Sequence, residues 1–226
     1  DEAFEQMNYA LEQGVNFFDT AELYPVPATL ATYADTERII GNWFQKTGKR
    51  DKVVLASKIA GGGDYTKHIR TGGFTKQNIT EAIEGSLQRL QTDYLDLYQL
   101  HWPSRGVNCF GVRDYPYQTA TKEAENHLEI LETLHTFVKA GTIRAIGLSN
   151  ETPWGTMKYL QTANDFNLPR PVTIQNSYSL IHRGYEVGLS EVSMREDIGL
   201  LAYSPLAQGV LSGKYLDGKS PEGSRG

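Results

Sequence analysis

The 226-residue sequence predicts an α/β fold in which a parallel sheet closes as a TIM-type (β/α) barrel. Three observations carry that prediction. Helical and strand periodicities alternate strictly, giving six strands that each follow a helix or helix-like segment, and such alternation implies right-handed crossovers and a parallel sheet. Every strand ends in a polar residue: Asp19, Lys58, His101, Ser149 with Asn150, Gln175 with Asn176, and Tyr203 with Ser204. In a barrel these ends converge on one rim, whereas an open doubly wound sheet focuses its ligand at a single switch point. No G-x-G-x-x-G follows a strand, and "GGG" at 61–63 stands in a loop after Lys58, which argues against a Rossmann dinucleotide site.

"FEQMNYALEQG" sets Phe4, Met7 and Leu11 on one helical face and predicts a left-handed stop at Gly14. A strand over 15–18 follows at once. After a polar, proline-containing loop, "TERIIGNWFQ" reads as a short helix and "DKVVLASK" as a compact strand over 53–57. "TKQNITEAIEGSLQRL" places Ile79, Ala82, Ile83, Leu87 and Leu90 on one stripe with Thr75 as N-cap, and feeds the strand "YLDLYQLH". A helix over 128–138, the strand "IRAIGLSN" and a helix opened by Thr152 and Pro153 come next. The strand "VTIQN", a weaker helix over 184–196 and the strand "LLAYS" complete the series.

With 39% apolar and 22% charged residues the chain is long enough to bury a sizeable core, and no composition shift marks a second domain. The formal net charge of -5 and scattered basic residues speak against nucleic acid as a partner. A single cysteine, Cys109, rules out an internal disulfide framework and any multi-cysteine metal site. The apolar runs are too short to span a bilayer, so no membrane insertion is expected, and the expected location is the cytoplasm, with an organellar stroma or matrix left open. Apart from His101, the histidines lie in loops or on helices without ligand spacing, so no metal is expected.

"DTAELY", the lysine closing "VVLASK" and the histidine of "LYQLHWP" resemble the Asp, Tyr, Lys and His tetrad of the aldo-keto reductases, in that family's order. "TIRAIGLSN", "IQNSYSL" and "LLAYSPLAQGVLSGKY" are similar to its nicotinamide and pyrophosphate segments. The resemblance covers nearly the whole chain, and is strongest to the branch that holds the potassium-channel β subunits and the Tas-like reductases. It implies Asp19, Tyr24, Lys58 and His101 as the catalytic set and a small carbonyl compound as substrate, with homo-oligomerisation open.

Reduction of a carbonyl by hydride transfer builds negative charge on oxygen, so a proton donor must reach it. Tyr24 is the expected donor. Moving a tyrosine from near pH 10 about three units toward neutrality needs roughly 4 kcal/mol of preferential phenolate stabilisation. Lys58 is expected to supply it, with Asp19 holding the lysine in place and charged. His101 is the expected second donor to the carbonyl oxygen.

The resemblance assigns Ser149, Asn150 and Gln175 to a carboxamide and Tyr203 to stacking on the nicotinamide ring. Ser204, Pro205, Leu206, Gln208 and Gly209 form a turn whose backbone N–H groups suit pyrophosphate, and Lys214 adds charge. Trp102 and Phe110, in or next to the long loop 103–126, are the expected substrate wall. The implied cofactor is NADPH/NADP, with NAD open because the family's 2′-phosphate site falls outside these residues. The expectation for residues 1–226 is a single barrel domain holding about strands 2 to 7 of the eight and lacking the first and last strand regions. Two functions fit the same residues, an NADPH-dependent aldehyde or ketone reductase and a nucleotide-bound regulatory subunit of the channel β type.

Overall fold

The computed structural model describes residues 2–112, 114, 115, 117 and 126–224. The rest of the predicted loop 103–126 lies outside the described residues. Helix α1 (Glu2–Glu12) lays Phe4, Met7 and Leu11 against the core and ends at Gly14, whose φ of 81° is the left-handed stop its sequence position requires. The Val15 N–H closes that end by donating to the Ala10 carbonyl at 2.8 Å, so strand β1 (Phe17–Asp19) starts two residues later than the apolar run suggests.

Then follow α2 (Asp35–Thr47), β2 (Val54–Ile59), α3 (Lys76–Leu90), β3 (Leu95–Leu100), α4 (His127–Lys139), β4 (Ile143–Ser149), α5 (Pro153–Asp165), β5 (Pro171–Ser177), α6 (Leu189–Glu196) and β6 (Gly199–Tyr203). The Thr75 and Thr152 hydroxyls cap α3 and α5 by accepting from the Asn78 and Gly155 N–H groups, as those sequence positions predict. The predicted helix 184–196 is broken. A 3₁₀ turn at Gly184–Glu186 is separated from α6 by Gly188, whose φ of 95° no helix interior accepts.

All six strands are parallel and pair in sequence order, β1 to β6. Side chains alternate across them. Leu55, Ile59, Tyr98 and Ile146 pack against Trp43, Ile79, Ile83, Ile130, Leu134 and Leu160 of the covering helices, while Lys58, Gln99 and Gln175 point the other way. The sheet must be curled. In a flat sheet β1 and β5 would stand about 19 Å apart, four spacings of ~4.8 Å, yet the Gln175 side chain of β5 donates to the Asp19 side chain of β1 at 3.0 Å. The six strands therefore wrap around a shared interior, the geometry of a (β/α) barrel. Gly147 is part of the same device, because a Cβ there would overlap the Thr173 hydroxyl and come within 3.1 Å of Gln99 Cγ.

Candidate active site

The chain leaves β1 still tied to β2. The Thr20 and Glu22 N–H groups donate to the Ala56 and Lys58 carbonyls at 2.9 and 3.2 Å, and a turn from Tyr24 N–H to Ala21 O then delivers the Tyr24 ring to the rim. Glu22, buried to 1% exposure, fixes that turn: its carboxylate accepts the Ala60 N–H at 2.7 Å and pairs with both terminal nitrogens of Arg70. A strong buried anchor thus stands two residues before the tyrosine.

Lys58 belongs to β2 itself, since the ladder with β3 runs on to Ile59 and Leu100. Its ammonium is fully buried, donating to Asp19 Oδ2 at 2.6 Å and to the Thr20 carbonyl at 2.8 Å. It also lies 5.1 Å from the centre of the Tyr24 ring. On the other side, the His101 ring meets Tyr24 edge-on at 5.5 Å. Asp19, Tyr24, Lys58 and His101 therefore gather at one mouth of the barrel, where the C-terminal strand ends converge.

The electrostatics differ from the expectation. Tyr24 is not drawn toward neutrality but pushed up to about 12, first by burial and then by the Asp19 carboxylate and Tyr203. The physical reason is that burial of the phenol disfavours its charged form and the Asp19 carboxylate beside it adds to that effect. Burial, opposed by Asp19, lowers the Lys58 ammonium below the ordinary lysine range. His101 is held well below the ordinary histidine range by burial and then by Lys58, so its imidazole is neutral at pH 7. Its Nδ1 has no hydrogen-bond partner among the described residues.

The residues assigned to a carboxamide are tied to one another. Ser149 Oγ donates to the Gln175 carbonyl at 2.9 Å, Asn150 Nδ2 to the His101 carbonyl at 2.9 Å, and Gln175 Nε2 to Asp19 Oδ1. The Tyr203 hydroxyl donates to Asn150 Oδ1 at 2.8 Å. Asn150, Tyr203, Ser204 and Gln208 line a cleft of about 940 Å³ beside this cluster, together with Phe110 and Cys109. Pro205 and Leu206 lie in the turn after β6, where Ser204, Gln208 and Gly209 have φ of 54°, 57° and 99°. The Lys214 side chain lies directly over Gly209, in the space a Cβ would fill. Trp102 lies between His101, whose ring is tilted to it at 4.8 Å, and Phe110, which meets it edge-on at 5.7 Å, and it donates from Nε1 to the Gly62 carbonyl at 3.3 Å.

Three functional-site neighbours escape the sequence reading. Glu22 with Arg70 is one; Glu151 with Arg105 is another, tying the loop after β3 to the end of β4. The third, Gln99, is fully buried and donates from Nε2 to Asp19 Oδ1 at 3.0 Å. Its signal was a lone amide inside the apolar run "YLDLYQLH", two residues before His101 and hence on the same face.

The chain is 50% identical over 226 residues to Protein tas of Escherichia coli (strain K12), covering 99% of the chain and 65% of that protein. It is 36% identical to the uncharacterized oxidoreductase YrpG of Bacillus subtilis (strain 168), covering 99% of the chain and 62% of that protein. A crystal structure of an aldo/keto reductase from Klebsiella pneumoniae, in complex with NADP and acetate, superposes with a TM-score of 0.67 at 29% identity, covering 95% of the chain and 60% of that structure. The chain thus spans less than two thirds of the length of these relatives. Since residues 1–225 match the sequence model of the Aldo/keto reductase family, the chain belongs to that family.

Proposed function

We propose that this chain carries the catalytic face of an NADPH-dependent reductase that converts aldehydes or ketones to alcohols, and that residues 1–226 belong to one barrel unit. The observation that supports this most is the placement of a single half-buried phenol, Tyr24, between the Lys58 ammonium and a neutral imidazole. A tyrosine held at about 12 stays protonated across the physiological range, which is the state a proton donor for reduction needs.

The residues fit a nicotinamide dinucleotide. The cleft is large enough, Tyr203 presents an aromatic ring at its wall, and Lys214 sets an exposed cation over a glycine turn of left-handed residues suited to phosphate oxygens. Asn150, Gln175, Tyr203, Ser204, Gln208 and Lys214 would hold it. When bound, NADPH supplies the hydride. Tyr24 then donates the proton to the carbonyl oxygen, the neutral His101 imidazole orients that oxygen by a hydrogen bond, and Lys58 offsets negative charge as it develops on the phenol. Asp19 keeps Lys58 oriented toward Tyr24. Trp102 and Phe110 form the apolar wall against the substrate and exclude water from it.

Support for NADP as the nucleotide comes from the Klebsiella pneumoniae relative, whose structure contains it. The test is a nucleotide titration of the full-length protein followed by a screen of small aldehydes. Quenching of tryptophan fluorescence by NADPH and multiple-turnover NADPH oxidation with an activated aldehyde such as 4-nitrobenzaldehyde are expected. Tight nucleotide binding with no turnover on any aldehyde or ketone would instead support a nucleotide-bound regulatory subunit.

A further inference from the structure

Resting on the reductase reading of this site, we propose that Gln99 is a positioning residue, whose buried amide holds the Asp19 carboxylate in the orientation that keeps Lys58 against Tyr24. Asp19 Oδ2 takes the lysine at 2.6 Å, while Oδ1 accepts two amide N–H bonds, from Gln99 and from Gln175, each at 3.0 Å. A carboxylate only accepts, so the nitrogen of each glutamine must face it. For Gln99 the consequence is a fully buried carbonyl oxygen, Oε1, with no hydrogen-bond partner among the described residues. Packing alone gives no reason for this: a buried acceptor left unsatisfied opposes folding, and methionine would fill the same space without it. The compensating contact is the one to Asp19.

The two glutamines are not equivalent. Gln175 stands at the strand end that the nicotinamide reading assigns to the carboxamide, so its bond to Asp19 competes with a second use. Gln99 lies one layer deeper, in register with Lys58 on one side and Gly147 on the other, and is fully shielded from the cleft. The missing Cβ at Gly147 leaves room for the Gln99 stem to run along the interior. Gln99 is therefore the amide that Asp19 keeps in every state of the site. The charged and titratable groups that bear on this carboxylate are Lys58 from β2, Tyr24 from the loop after β1, His101 just after β3, and, through Tyr24 and Lys58, Tyr203 of β6 and Glu37 of α2.

Gln99→Glu provides the test in the full-length enzyme. The substitution keeps the shape and sets a carboxyl beside Asp19 Oδ1, where the neighbouring negative charge delays ionisation of the second group to higher pH. At acid pH the introduced carboxyl retains its proton and donates to Asp19 as the amide does. As pH rises it ionises, repels Asp19, and turnover falls. The expected kcat is close to the parent's near pH 5.5 and lower by about tenfold to a hundred-fold at pH 8.5, the scale of a catalytic group displaced by about 1 Å. Gln99→Met, which removes both the donor and the orphaned oxygen, should lower kcat alike at both pH values, with KM for the aldehyde little changed and the fold intact by circular dichroism. A merely structural role would move the melting temperature and leave the pH–rate profile in place. A folded Gln99→Glu enzyme with the parent profile overturns the proposal, and if that variant does not fold, parent-like kcat in Gln99→Met overturns it. Tyr24→Phe, run in parallel, separates the two levels: if it is inactive while the Gln99 variants behave as parent, only the role of Gln99 fails. If it turns over at the parent rate, both fail.

Discussion

Replacing Lys58 with methionine keeps the buried stem and removes one charge. The lost contacts are the 2.6 Å bond to Asp19 Oδ2 and the 2.8 Å bond to the Thr20 carbonyl, both made by a side chain with no solvent exposure. Deleting one partner of a buried ion pair costs about 3–5 kcal/mol. Asp19 is 28% exposed and keeps two amide donors, so the lower end, about 3 kcal/mol, applies here. The effect on Tyr24 runs opposite to intuition. With the cation gone, the Asp19 charge acts alone on the phenol, and its pKa moves further above about 12 rather than back toward 10. Turnover should fall by about a hundred-fold to ten-thousand-fold, as for loss of the acid itself, while nucleotide affinity changes little. Urea unfolding followed by circular dichroism reads the first effect, and NADPH oxidation at pH 7 the second. Unfolding free energy within about 0.5 kcal/mol of the parent, or parent-like turnover, would refute the role given to the Asp19–Lys58 pair.

Two further outcomes follow from buried groups elsewhere. His101 and His127 both have folded-state pKa values below the ordinary 6.5, His127 at about 4 because of burial and the nearby Arg105 and Lys158 cations. Below pH 6.5 the unfolded chain binds more protons than the folded one, so stability must fall as pH drops from about 6.5 toward 4; urea midpoints across that range measure it, and His127→Gln should flatten part of the slope. Gly147→Ala forces a methyl onto the Thr173 hydroxyl and within 3.1 Å of Gln99 Cγ. An overpacking cost of about 1–3 kcal/mol is expected, with turnover reduced as Gln99 shifts off Asp19; unchanged stability and rate would show that the barrel interior is not packed as described.

The sequence made the element order legible because it is written locally, and the tetrad legible because its motifs resemble those of the aldo-keto reductases. Alternating apolar periods reveal strands and helices, and the residue at each strand end is read directly from the run that precedes it. The apolar run places the end of this strand at Ser57 and Lys58 just past it, whereas the ladder's extent to Ile59 is decided by the partner strand β3. The helical pattern over 184–196 reads as continuous because a glycine such as Gly188 is tolerated in it, and only the backbone conformation of Gly188 shows the break. Glu22, Glu37 and Glu151 each pair with an arginine 46 to 52 positions away, a separation no local pattern encodes. The direction of the Tyr24 shift depends on burial and on the distance between Asp19 and Lys58, quantities that residue types alone do not carry.

The most direct test of the central claim is turnover of the Tyr24→Phe enzyme against its nucleotide affinity. The substitution deletes one hydroxyl at the point where Lys58 and His101 converge and leaves Asn150, Tyr203, Ser204, Gln208 and Lys214 untouched. The prediction is a loss in kcat of about a hundred-fold to ten-thousand-fold with 4-nitrobenzaldehyde, at an NADPH dissociation constant close to the parent's. Parent-rate turnover by the phenylalanine variant would contradict the assignment of Tyr24 as the proton donor, and with it the account of the site.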